Sequence, residues 1–369
     1  MKVLVLTIPT GGGHLSTGVA IEKYMKQRGH EAKLIDVYKY ISRLLGGSVQ
    51  KGYLASTKYA PNMYGKFYRI AEKSDSYDKF HMLKAANSLM TIKFAKYMKA
   101  YKPDVVIATH VLAAHLINAL DDDILSSVIT MGIVTDYTIH PFWDETCLDY
   151  YITASELLNC QAAKKNLPLK KVKPFGIPID QKFADKIEKT EARKIIGIDN
   201  KPTVLVMSGS MGFGKVLKHI KELDKLEMDF QMIVVCGNNK TLKRKVDELE
   251  TVKKVYSFGF VNNVDVLMDA SDCIITKPGG LTVSESLAKG MPMILINPIP
   301  GQEDRNVEFL LNNGMAQLIT STYPVDEAIY QLFKNEWKIG NLSEGIKYIG
   351  KPYATRDLCE FIISLGERE

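Results

Sequence analysis

No apolar run among the 369 residues approaches the ~20 needed to cross a bilayer. Cysteine is sparse. The five cysteines, at 147, 160, 236, 273 and 359, form no Cys-x-x-Cys pair and no metal-ligand spacing. A disulfide framework and a cysteine-held metal are excluded, and scattered thiols fit a reducing compartment. There is no short-period repeat and no low-complexity segment. Apolar residues at 46% and charged residues at 24% are ordinary globular usage, which excludes disorder for most of the chain. The opening MKVLVLTIPTGGGH is too short in its apolar part, and too soon glycine-rich, for a signal peptide. It reads as a buried first strand, and the protein is expected in the cytoplasm. At ~150 residues per domain, the length allows about two domains.

Charge is unevenly placed. The net charge is +6, yet Lys39–Lys102 holds 13 Lys and Arg against 3 Asp and Glu, with 8 of the 18 tyrosines. The rest of the chain is net acidic. Apolar residues alternate with the charges (Tyr64, Phe67, Tyr68, Ile70, then Met90, Ile92, Phe94, Tyr97, Met98). Such a segment fits an anionic membrane surface. By composition it also fits nucleic acid or a pair of helices with solvated charged faces.

Strands alternate with helices along the chain. Lys2–Thr7 is Val- and Leu-rich, as a strand buried on both faces should be. A glycine loop ending at His14 follows, then a helix over about 15–28 and a strand at 32–37. Further strands are read at 104–109, 128–135 and 150–153, with a helix near 156–165. Pro174–Asp180 carries two prolines and a glycine and marks a break. The pattern then restarts: strands at 203–207, 231–236, 254–258, 273–276 and 293–297, with helices at 242–249, 264–269 and 282–289. This predicts an α/β protein with two Rossmann-like, doubly wound domains facing a central cleft. The expected divisions are 1–178, 179–350 and a closing helix in 351–369.

Three glycine loops compete for the chemistry. In the first, Gly11-Gly12-Gly13-His14-Leu15-Ser16, Ser16 stands where a dinucleotide fingerprint needs its third glycine, although Asp36 sits where a ribose-binding acid would. His14 lies where the loop enters a helix, and a helix N-terminus disfavours imidazolium. A neutral imidazole there is a candidate base; a mere helix cap is the competing reading. The second loop, Gly209–Val216, nearly matches a P-loop, but Val216 replaces the hydroxyl that would hold Mg²⁺. It remains a generic phosphate cradle or a tight turn. The third is the most specific. A strand ends at Thr276, then Lys277-Pro278-Gly279-Gly280 leads to a helix near Thr282, with Glu285 one turn in. Backbone N–H groups and a hydroxyl there suit a diphosphate, Glu285 suits a ribose diol, and Gln302 and Glu303 suit sugar hydroxyls. Together these describe a nucleotide diphosphate-sugar pocket.

The segment TKPGGLTVSESLAKGMPMILINPIPGQEDRN closely resembles the donor-site signature of the diacylglycerol glycosyltransferases. These comprise the bacterial processive diacylglycerol β-glucosyltransferases and the plant monogalactosyldiacylglycerol synthases. Thr10–His14, Pro103–Ile107, Val134–Trp143 (VTDYTIHPFW), Phe175–Ile179 (FGIPI) and Val235–Asn238 (VCGN) resemble further segments of the family, in order, from residue 3 to about 315. The resemblance implies a GT-B fold, with the acceptor in the first domain, the UDP-sugar in the second, and a last helix that crosses back. It implies His14 as general base, with Asp136 as alternative base or as the group that orients it. Glu285 would hold the ribose. Gly209, Ser210, Gly279, Gly280 and Thr282 would surround the diphosphate. Phe260 and Val261 would meet uracil, while Gln302 and Glu303 would read the sugar. Gly12, Gly13, Asn238 and Lys277 are further substrate-binding candidates.

His140 and Trp143 are candidates for the acceptor path, with ordinary packing as the other reading. Lys66 and Arg69 are candidates for membrane contact. Because diacylglycerol stays in the bilayer, the resemblance favours docking of Lys39–Lys102 on anionic phospholipid at the inner face of the cell membrane, with no nucleic acid partner. No cofactor is expected, since the UDP-hexose is a substrate and loop N–H groups can stabilise the diphosphate without a metal. Asp121-Asp122-Asp123 formally contains an Asp-x-Asp, but it follows a helix and is read as a solvated loop. Glucose is favoured over galactose by the bacterial resemblance alone. Two other classes stay open. One is a UDP-sugar enzyme of the same fold with another acceptor or reaction, such as a lipid-linked N-acetylglucosaminyltransferase or an epimerase. The other is a non-catalytic UDP-sugar sensor.

Overall fold

Val3, Leu4, Val5 and Leu6 are fully buried, so β1 (Lys2–Thr7) is covered on both faces, the position its unbroken apolar run predicts. The computed structural model describes residues 1–8, 12–41, 90–207 and 215–367. Lys66 and Arg69, with most of the basic segment, lie outside the described residues, as do Gly209 and Ser210. The chain forms two units. The first comprises Met1–Gln181, Ile299–Arg305 and Tyr353–Glu369; the second comprises Lys182–Pro298 and Asn306–Pro352.

In the first unit β1 leads through α1 (Gly12–Gln27) to β2 (Glu31–Asp36). Later come β3 (Val105–Ala108), α2 (Val111–Asn118), β4 (Ile129–Ile133), β5 (Tyr150–Ile152) and β6 (Val172–Lys173). The sheet order is β2-β1-β3-β4-β5-β6, and every pairing is parallel. Residues 90–101 are helical. Phe94 and Met98 there are buried, while Ile92 is exposed, so this end of the basic segment is amphipathic. The last helix, α7 (Ala354–Gly366), belongs to the first unit. Its Leu358, Cys359 and Ile362 share a core with Val3, Val5 and Ile21. Its Thr355 Oγ1 donates to the Ile179 carbonyl at 2.6 Å, and Glu360 accepts from the Tyr24 hydroxyl at 2.8 Å.

The second unit carries β7 (Thr203–Met207), α3 (Val216–Asp224), β8 (Gln231–Val235), α4 (Lys240–Asp247) and β9 (Val255–Phe258). It continues with β10 (Cys273–Thr276), α5 (Gly280–Lys289), β11 (Met293–Leu295), the helix α6 (Gln302–Asn312), and β12 (Ala316–Leu318). Its order is β12-β11-β10-β7-β8-β9, again all parallel. The first turn of α6 falls in the first unit and the remainder in the second.

Three local expectations change. The helix at 156–165 is a 3-10 turn, Glu156–Leu158, followed by a short α-helix, Asn159–Lys164. Ser155 accounts for this, because its hydroxyl accepts from the Leu157 N–H at 3.2 Å and starts the tighter turn. The Asp121–Asp123 stretch is not a loop: it opens the helix Asp122–Leu125, where acidic side chains suit the N-terminus, and Asp123 pairs with Lys99 at 3.3 Å. The helix after the first glycine loop already begins at Gly12. No helix among the described residues is long and apolar enough to cross a membrane.

Candidate active site

In the first sheet β1 and β3 are neighbours, but the chain leaves β1 toward β2 and leaves β3 toward β4. Such a reversal opens a crevice at the carboxyl ends of the two strands, where ligands of doubly wound sheets bind. α1 starts directly beyond β1 and carries His14 in its first turn. β3 runs out into Thr109 and His110. The imidazole of His14 spans this gap: its Nδ1 is 2.7 Å from the Thr109 carbonyl oxygen and 3.0 Å from Thr135 Oγ1. A carbonyl only accepts, so Nδ1 carries the proton and Nε2 keeps its lone pair. Burial pushes the imidazole pKa below its usual 6.5, opposed by the negative charge of Asp136 and by the Thr109 hydrogen bond. Burial thus favours the neutral imidazole, which is able to take a proton.

Asp136 follows β4. Its Oδ2 accepts from Gln302 Nε2 at 2.7 Å, so Gln302 is engaged by a carboxylate within the first unit. Nearby, Glu303 Oε2 accepts from the Ile299 N–H at 2.6 Å and Asp304 Oδ2 from the Gly301 N–H at 3.0 Å, which fixes the turn before α6. His140 caps the 3-10 helix Pro141–Glu145, accepting on Nδ1 from the Phe142 N–H at 3.1 Å. Trp143 is 3% exposed and meets Tyr151 edge-on. A Cβ on Gly132 would lie 2.5 Å from its ring, so the indole fills the space that glycine leaves in β4. Trp143 is therefore packed in the core. His110, which no motif in the sequence singles out, stands beside His14 with ring centroids 4.6 Å apart.

In the second unit the reversal lies between β7 and β10. The loop beyond β7 lies outside the described residues. Beyond β10, half-buried Lys277 and buried Pro278 lead to Gly279, which is the N-cap of α5 and has no side-chain oxygen to occupy the first N–H groups. Those donors are the natural place for a phosphate. Gly280 is buried at the helix start, with Thr282 and Glu285 half-buried in its first two turns. The loop is held from below: Asn306, fully buried, donates from Nδ2 to the Pro278 carbonyl at 2.9 Å. Asn306 too was not anticipated. At the far end of α5, Lys289 and Asp269 form a buried ion pair at 2.6 Å. Beside the ends of β8 and β9, a concavity of 340 Å³ is lined by Gly237, Asn238, Gly259, Phe260 and basic residues of α4. Phe260 is 62% exposed and Val261 is half-buried. Gly12 is exposed and Gly13 half-buried in the first turn of α1.

Residues 14–179 match the family model for monogalactosyldiacylglycerol (MGDG) synthase, and 203–343 match the glycosyltransferase family 28 C-terminal domain. The chain is similar to a processive diacylglycerol beta-glucosyltransferase of Bacillus pumilus, 28% identical with 99% of this chain and 95% of that protein covered. The protein of the same name from Bacillus cereus is 30% identical, with 98% and 93% covered. Among solved structures, MurG of Acinetobacter baumannii has a TM-score of 0.64 at 15% identity, covering 98% of this chain and 99% of its own. The chain thus has the GT-B fold of two parallel-sheet α/β domains.

Proposed function

Since the chain belongs to the diacylglycerol glycosyltransferase family, a family of transferases, we propose that it moves glucose, in preference to galactose, from a UDP-sugar to 1,2-diacylglycerol and inverts the anomeric centre. The observation that carries the mechanism is the fixed tautomer of His14: Nδ1 is committed to Thr109, and Nε2 stays a base. His14 removes the proton from the primary hydroxyl of the lipid. That oxygen attacks the anomeric carbon on the face opposite UDP, so an α-linked donor gives a β-glycoside. Asp136 stabilises the imidazolium that forms, and Gln302 holds its carboxylate. The diphosphate leaves onto the N–H groups at Gly279, Gly280 and the start of α5, a charge stabilisation that requires no metal. Glu285 holds the ribose, and Phe260 and Val261 border the uracil. The enzyme docks on anionic phospholipid at the inner face of the cell membrane.

The test is transfer from UDP-glucose and, separately, UDP-galactose to vesicles of diacylglycerol, with and without anionic phospholipid, in the presence of EDTA. The expected product is β-glucosyldiacylglycerol, formed faster on anionic vesicles and undiminished by EDTA. Absence of product on vesicles that bind the protein would remove diacylglycerol as the acceptor.

A further inference from the structure

His14 and His110 are adjacent imidazoles in opposite tautomers. His14 donates from Nδ1 and presents a bare Nε2. His110 is the N-cap of α2, and its Nδ1 accepts from the Leu112 N–H at 3.1 Å. A neutral imidazole that accepts on Nδ1 carries its proton on Nε2. Burial, then the neighbouring His14, His140 and His115, holds the His110 pKa well below 6.5, so the ring stays neutral and its Nε2–H is a standing donor. The rings meet edge-to-face, 68° apart in plane, at the strand-end crevice between β1 and β3. One short stretch sets both: the Thr109 carbonyl orients His14, and the next residue supplies the second ring.

A helix cap alone does not account for His110. Serine or aspartate caps better and leaves no N–H on the far side. A lone pair beside a neutral donor suits an alcohol that has a second, acceptor-only oxygen close by. Diacylglycerol is such an alcohol. Apart from its hydroxyl, its strong acceptors are ester carbonyls, and the nearer ester sits on the carbon next to the hydroxyl-bearing one.

We propose that His110 is an acceptor-binding residue whose Nε2–H hydrogen-bonds an ester carbonyl of the diacylglycerol that His14 deprotonates. The inference rests on the acceptor and base assigned above. It makes the enzyme selective for ester over ether lipids.

The experiment compares KM for dioleoylglycerol and for its dialkyl ether analogue in the same mixed micelles, with saturating UDP-glucose. Both wild type and His110→Ser are measured, since serine preserves the cap of α2. Wild type should favour the ester about tenfold, the order expected of one neutral hydrogen bond. In His110→Ser the ratio should collapse toward one. A wild type that uses both lipids equally overturns the proposal without need of the variant. A variant that keeps the wild-type ratio, or loses both lipids in equal proportion, also overturns it and leaves His14 and the acceptor assignment standing. A wild type that glycosylates neither lipid overturns both readings together.

Discussion

His14 and Thr109 are 95 residues apart in sequence, yet Nδ1 of one lies 2.7 Å from the carbonyl oxygen of the other. That contact fixes the tautomer of a histidine in the first turn of α1 and leaves the lone pair on Nε2. His14→Ala should therefore lower kcat for transfer by about 10²–10⁴-fold, the usual worth of a positioned general base. Binding of UDP, measured by titration calorimetry, should stay within about twofold of wild type, because the groups proposed above to hold the nucleotide belong to the second unit. A variant that turns over at the wild-type rate would remove His14 from the chemistry.

Asp136 should set where the acid limb of the pH profile falls. Its charge raises the His14 pKa, while burial lowers it by more. Wild-type kcat/KM should fall on the acid side with an apparent pKa below 6.5. Asp136→Asn takes away the raising influence, so protonation of His14 becomes harder and the limb moves to lower pH. The rate at neutral pH should also fall, since the imidazolium of the transition state loses its counter-charge. A limb displaced upward would contradict the sign.

The Lys289–Asp269 pair anchors the end of α5, the helix that begins at Gly280, and both side chains are almost fully buried, at 2% and 5% exposure. Lys289→Met leaves Asp269 buried without its cation and should cost about 3–5 kcal/mol in urea unfolding. Lys289→Met combined with Asp269→Leu should recover most of that loss. If the double variant is no more stable than the single, the pair is not the source of the cost.

The strands were largely legible in the sequence. Fully buried parallel strands are apolar runs closed by turn residues, and Cys273–Thr276 and Thr203–Met207 lie where those runs place them. β6 and β12 were not: Val172–Lys173 is two residues in a lysine-rich stretch, and Ala316–Leu318 has a glutamine at its centre, so neither shows an apolar run. Helix ends moved where a single side chain decided them, as Ser155 does. His14 was readable from its loop. Its tautomer and the neighbouring His110 were not, since both depend on β1 and β3, far apart in sequence, lying side by side. Trp143 shows the converse: it sits in a segment that resembles an acceptor motif, but Gly132, on a neighbouring strand, opens the core space that takes it in.

Asn306 offers a separate handle on the Gly279–Gly280 loop. Its side chain is fully buried and donates to the carbonyl of Pro278, the residue just before Gly279 and Gly280. Asn306→Leu is close in volume but cannot donate, so the carbonyl loses a partner inside the protein, at a cost of about 1–3 kcal/mol in chemical unfolding. The loop also loses the tie that sets its height above α5. KM for UDP-glucose should therefore rise several-fold, while KM for the lipid stays unchanged. Asn306→Asp should be worse than Leu on both counts, because a carboxylate facing a carbonyl oxygen adds repulsion to the missing bond. A loss of stability with no change in KM for UDP-glucose would mean that the glycine loop holds its shape without Asn306, and that α5 alone positions the phosphate donors.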